Sequence, residues 1–190
     1  MRPTDHSLDT SPQRKQILDE LREACVEFKV IACCSTYDLK RKSNGTKWTN
    51  RELLFHILFG YLITRTILFA APTIARLPDR IVAAPMHVLS RLLRPFNWIN
   101  YVGSVIGGKI YSPQRMVVKF EIVARTLEHQ LARLSEEALD RRMAVPTAWD
   151  PFFTPRMTVE AIFRYPTQHF QFHAAQLSCL GIDRKPIDGG

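Results

Sequence analysis

Paired cysteines, alternating strands and a secretory leader are all missing from this sequence, and each absence removes a class of protein. The four cysteines (Cys25, Cys33, Cys34, Cys179) form no CxxC pair, and the adjacent Cys33 and Cys34 are poorly placed to bridge each other. They read as small buried residues or free thiols in a reducing cytosol. The first dozen residues, MRPTDHSLDTSP, are polar and lack an apolar core, so no secretory signal peptide is expected. Period-two alternation is nearly absent, as is an Asn-Gly hairpin flanked by apolar residues, which argues against a sheet-based domain. No Ser-His-Asp or Cys-His spacing, phosphate loop, dinucleotide fingerprint, internal repeat or low-complexity tract appears.

Acidic residues are the scarcer charge, 18 against 26 basic, giving a net charge of +8. That balance favours anionic partners in general. The basic residues are dispersed and not interleaved with aromatics, so nucleic acid is not an expected partner. One long apolar run, Leu53 to Ala75, approaches the length of a membrane span. Arg65 at its centre, His56 near its start and Pro72 near its end fit a buried bundle helix better than a lipid-facing one. Membrane insertion is therefore not expected, and the predicted location is cytoplasmic.

What remains is helix. At 190 residues and 46% apolar, the chain suits one domain with a real core. Residues 1–10 are predicted as a disordered start, 11–182 as the helical domain and 183–190 as a flexible tail. Ser11-Pro12 and Ser112-Pro113 each place a capping hydroxyl before a first-turn proline. Thr49 and Glu52 form a capping box. The first helix is predicted from about Pro12 to Thr36, with an inward stripe of Ile17, Leu21, Ala24, Phe28, Ile31 and Ser35. A basic loop with a reversal at Gly45 leads to a second, all-round apolar helix from Thr49 to about Ala75. Between Pro78 and Tyr111 a short amphipathic helix is predicted at Arg80 to Leu93, and Asn97 to Ile110, with three glycines, reads as a poorer one. A long helix follows from Ser112 to about Arg142. A proline-rich crossing (Pro146, Pro151, Pro155) then leads to a last helix from about Thr158 to Leu180, ended by Gly181. Four long helices with one insertion predict an all-α four-helix bundle.

The last helix carries the chemistry. Its inward stripe reads Ile162, Pro166, His169, His173, Gln176 and Leu180. His169 and His173 thus stand one turn apart, where the other helices have leucine and phenylalanine. Imidazoles at i and i+4 can share one metal ion, or can be a hydrogen-bonded pair in the core. Gln176 continues the polar face, and His56 lies on another buried helix, two turns from its cap. Three neutral imidazoles leave a divalent ion with an open position. Pro166 removes one donor just before His169 and is expected to kink or restart the helix. His6, His87 and His129 lie off the stripes and are read as bystanders.

WTNRELLFHI (Trp48 to Ile57) and MTVEAIFRYPTQHFQFHAAQL (Met157 to Leu177) resemble the DinB-like (DinB/YfiT) superfamily. That family shows a tryptophan, a capping Ser or Thr, a glutamate and a histidine on its second helix, and an HxxxH followed by glutamine on its last. The resemblance implies an antiparallel four-helix bundle, a metal held by His56, His169 and His173 (often Zn²⁺ or Ni²⁺), and a homodimer. Ala174 departs from the family by replacing an adjacent histidine, and the 78–111 insertion by being longer and more basic.

Arg80, His87, Arg91 and Arg94 share one face of the insertion's first helix. They form a solvated face, a membrane-surface helix, or a basic lid for an anionic ligand such as the carboxylates of a low-molecular-weight thiol. Glu52 and Glu160 are the candidate acid–base groups or ligand orienters, although capping already accounts for Glu52. Two functions follow: a metal-dependent enzyme, a thiol S-transferase-like protein or a hydrolase, or a non-catalytic bundle that binds a metal or small molecule.

Overall fold

In a computed structural model, residues 11–74, 76–78, 88 and 93–179 are described. Four long helices make the bundle: α1 (Pro12–Ala32), α3 (Asn50–Ile74), α5 (Pro113–Ala132) and α7 (Val159–Ala174). The insertion contributes α4 (Leu93–Ile110), which lies along α3. Short helices α2 (Thr36–Lys40) and α6 (Glu136–Asp140) follow α1 and α5. Strands β1 (Arg142–Ala144) and β2 (Arg156–Thr158) pair antiparallel at the entrance to α7. The chain is thus an antiparallel all-α bundle apart from this two-stranded ribbon.

Side-chain caps start each long bundle helix. Ser11 and Ser112 accept from the N–H groups of Arg14 and Arg115, with Pro12 and Pro113 in the first turn. Thr49 Oγ1 accepts from Glu52 N–H at 3.3 Å while Glu52 Oε2 accepts from Thr49 N–H at 2.8 Å. Thr158 caps α7 by accepting from Ala161. The core is aromatic at its centre: Phe120 stacks on Phe28 at 4.2 Å and meets Tyr61 at 4.3 Å. Truncating such a ring to alanine costs about 3–5 kcal/mol.

Three predicted helices end earlier than their apolar stripes. The first stops at Ala32 and Ser35, predicted inside, is exposed and caps α2 instead. The third long helix stops at Ala132, and Ser135 caps α6. The reason is the same in both: a serine hydroxyl offers a new helix start three residues after the last turn. Arg14 fixes the second break, donating to the carbonyls of Leu131 and Leu134 and to Glu136. The last helix ends at Ala174 because the following segment is drawn onto the 42–50 loop. There Asn44 N–H donates to Gln176 O at 2.7 Å, and Ser178 N–H donates to Asn50 Oδ1 at 3.0 Å. Pro166 neither splits nor restarts α7, which runs through it unbroken.

The predicted poor helix at Asn97 to Ile110 is well formed and begins at Leu93. Two of its three glycines, Gly107 and Gly108, serve packing: a Cβ on Gly107 would lie 2.1 Å from the Phe55 ring, so α4 can approach α3 only because that atom is absent. The predicted Arg80 to Leu93 helix, with Arg80, His87 and Arg91, falls outside the described residues except at positions 88 and 93. The side chain of Arg94 also lies outside them.

A repeat invisible in the sequence is present in the backbone. Each half is a serine-capped long helix, a serine-capped short helix, an extended turn and a threonine-capped long helix. Lys42 bridges Thr49 as Arg142 pairs with Thr158. Asn50 N–H donates to Arg41 O and Val159 N–H to Arg141 O, both at 2.9 Å.

Candidate metal centre

The repeat places α3 and α7 side by side, each with its polar residues turned inward. His56 and His169 are buried at 4% exposure each, and His173 is half-buried. One ligand nitrogen from each of the three lies within 4.8 Å of the others. The ring centroids are 4.5–5.0 Å apart. His169 fits because position 60 on α3 is glycine: a Cβ there would stand 2.9 Å from His169 Nδ1. Trp48 stacks on His56 at 4.5 Å and closes one side.

Hydrogen-bond partners assign the tautomers. Ser104 Oγ donates to Asn100 O at 2.7 Å, so toward His56 Nδ1, at 3.3 Å, it accepts. His173 Nδ1 lies 2.7 Å from Gln176 Oε1, which can only accept. Both rings therefore carry their proton on Nδ1 and present a lone pair on Nε2. Those two Nε2 atoms are 3.2 Å apart. Two lone pairs so close repel unless a cation lies between them. A proton is disfavoured: burial first, and then the charge of His173, lowers the His56 pKa from 6.5 to about 3. Burial likewise lowers His169 far below its ordinary value and His173 to a smaller degree. Neutral imidazoles are what a metal requires. In a tetrahedral site with Zn–N bonds of about 2.0–2.1 Å, ligand nitrogens stand about 3.3 Å apart. The donor set fits a divalent ion.

A carboxylate that sequence reasoning missed faces the triad. Asp150 Oδ2 lies 4.0 Å from His169 Nε2 and accepts from the Tyr165 hydroxyl at 2.8 Å. Its Oδ1 accepts from Phe152 N–H at 2.9 Å. Burial raises the Asp150 pKa, against the pull of those hydrogen bonds. The available signal was a lone acid between Trp149 and Pro151 in a proline-rich connection, which says nothing of where it points. Ser104 was missed too, because α4 was underrated as a helix.

The other acids stand elsewhere. Glu52 is held in its capping box, and Glu160 pairs with Arg164 at 3.1 Å. His129 is exposed on α5. An open polar groove of about 510 Å³ reaches His173 between Lys47, Trp48, Asn97, Asn100, Tyr101 and Gln176. Asn50–Ala71 of α3 has the length and apolar character of a membrane span, yet half of it is buried in the bundle.

The fold and this site define a helical bundle with three converging histidines. Residues 11–177 match the DinB superfamily, and the chain belongs to that family. No curated protein matches it in sequence. Among solved structures it is similar to a mycothiol-dependent maleylpyruvate isomerase, with a TM-score of 0.60 and 12% identity. The match covers 88% of this chain and 61% of that one, so it establishes the shared fold.

Proposed function

We propose that this chain is a metal-dependent transferase that joins a low-molecular-weight thiol to an electrophile. The observation that carries the reading is the convergence of three histidines, with His56 Nε2 and His173 Nε2 3.2 Å apart. His56, His169 and His173 would hold the ion, Zn²⁺ or Ni²⁺ on the donor chemistry and family resemblance. A bound divalent ion supplies a Lewis acid that lowers the pKa of a thiol in its open position.

Asp150 is the proposed proton acceptor for that thiol. Burial makes its carboxylate a stronger base, and Tyr165 and the Phe152 amide hold it in place. The sulfur then forms a bond to the electrophilic carbon, the leaving group departs with its electron pair, and the proton remains on Asp150. The open groove beside His173 gives a polar thiol access, and Lys47 at its edge suits a carboxylate. That the similar structure is of a mycothiol-dependent enzyme supports a thiol as the small-molecule partner. The proposal includes a cytoplasmic homodimer.

The second reading, a metal-binding module without turnover, is favoured by the same Asp150. A carboxylate 4.0 Å from His169 Nε2 is near enough to close the site as a fourth ligand. One assay separates the two. Purified protein loaded with Zn²⁺ or Ni²⁺ is given glutathione, cysteine or another cellular thiol with 1-chloro-2,4-dinitrobenzene. The transferase reading predicts thioether formation that chelator abolishes and Asp150→Asn lowers by about 10²–10⁴-fold, with metal retained. No metal-dependent thioether with any thiol, or metal lost in the Asp150→Asn variant, overturns it in favour of the binding module.

A further inference from the structure

Beside the triad, next to His56 and His169, the bundle holds a second, partly open space. A small gap of about 30 Å³ beside His56, His169 and Asp150 is walled by Ile67, Trp149, Phe153 and Tyr165. The same four side chains line a cavity of about 230 Å³ that continues toward Ala70, Met143 and Val145. The triad therefore stands between a polar opening at His173 and an apolar chamber at His169.

The chamber's polar groups are already engaged. Thr64 Oγ1 donates to Gly60 O at 2.9 Å, and Thr66 Oγ1 donates to Leu62 O at 3.0 Å. The Tyr165 hydroxyl, which marks the end nearest the triad, donates to Asp150. These hydroxyls have no proton left to donate, so an occupant that needs hydrogen-bond donors would lose those of water and regain none from them. An apolar one would gain by leaving water. A dry apolar cavity of about 150 Å³ takes up benzene. On that scale this chamber suits a two-ring aromatic or an alkyl chain of roughly eight to ten carbons.

The geometry points to an apolar small molecule as the second substrate, bound in this chamber with its reacting end at the Asp150–Tyr165 mouth. The binding site stands on the cavity alone. The substrate role rests on the transferase reading above.

The test uses metal-loaded protein and straight-chain primary alcohols from hexanol to dodecanol, measured by titration calorimetry. Affinity should rise about three- to fourfold per added methylene and level off near ten carbons. Ala70→Phe and Ala144→Phe, which fill the chamber, should each weaken octanol binding at least tenfold with metal content unchanged. Methyl resonances of labelled methionines give a readout without substitution: Met143 should shift on adding octanol and the core Met116 should not. No chain-length dependence, binding unaffected by both substitutions, or an unmoved Met143 overturns the inference. Octanol binding with these signatures in protein that fails to turn over any thiol would keep the chamber and sink the transferase reading instead. The converse result, metal-dependent thiol transfer without alcohol binding, would do the reverse.

Discussion

At the scale of single residues, the site works through what each imidazole does with its outer nitrogen. Ser104 and Gln176 accept from Nδ1 of His56 and His173, and by doing so direct the lone pairs inward. Removing such an orienting partner typically costs 10–100-fold in metal affinity. Ser104→Ala and Gln176→Ala should each weaken metal binding by about that factor in a competition titration against a chelating dye. Helical content by circular dichroism should stay unchanged. Unaltered affinity in both would mean the tautomers are set by something else. His169 differs: its Nδ1 packs directly against Gly60 and has no hydrogen-bond partner among the described residues. The three histidines were legible in sequence because they occupy core positions of an apolar stripe, where a neutral imidazole needs a reason to be. Asp150 and Ser104 were not, since a connection and an inserted helix carry no periodic signal that fixes their direction.

Among the elements, caps proved more informative than stripes. Ser11, Thr49, Ser112 and Thr158 each mark a real helix start. Thr49→Ala removes a cap from α3, which carries His56. It should lower stability by about 1 kcal/mol, read as a shift in the denaturant midpoint. The helix ends were illegible for a physical reason. Leu134 and Ala138 remain in or against the core after the break at Ala132, so the apolar periodicity runs on while the backbone turns. The α4 helix was underrated because glycine lowers helix propensity, whereas here close packing on Phe55 outweighs it. Gly107→Ala should therefore destabilise the protein by about 1–3 kcal/mol, since the Phe55 ring it would displace is buried against Phe59 and Tyr111. A neutral or stabilising effect, as helix propensity alone predicts, would contradict this packing.

The whole molecule is two similar halves with unlike contents. Counting from the capping threonines, His56 on α3 corresponds to Tyr165 on α7, seven residues on in each case (56 − 49 = 165 − 158). Gly60 corresponds in the same way to His169, eleven residues on (60 − 49 = 169 − 158). The halves share backbone and caps but no recognisable sequence, which is why the repeat went unread. Burial of the triad also sets how the metal-free molecule responds to acid. His56 titrates near 6.5 when unfolded and at about 3 when folded. Between those values the unfolded chain takes up a proton that the native one refuses. Stability is therefore complete above about pH 6.5 and falls by about 1.4 kcal/mol per pH unit below it for each histidine held neutral. His169 and His173 shift in the same direction and steepen the fall. The melting temperature of chelator-treated protein should drop between pH 7 and 4, and His56→Gln should flatten that slope.

Metal analysis of the purified, folded protein bears most directly on the central claim. The account predicts one divalent ion per chain, and its loss in His56→Ala and in the His169→Ala His173→Ala double variant with helical content preserved. A folded native protein that takes up no stoichiometric Zn²⁺ or Ni²⁺, or one that keeps its ion without these histidines, would contradict it.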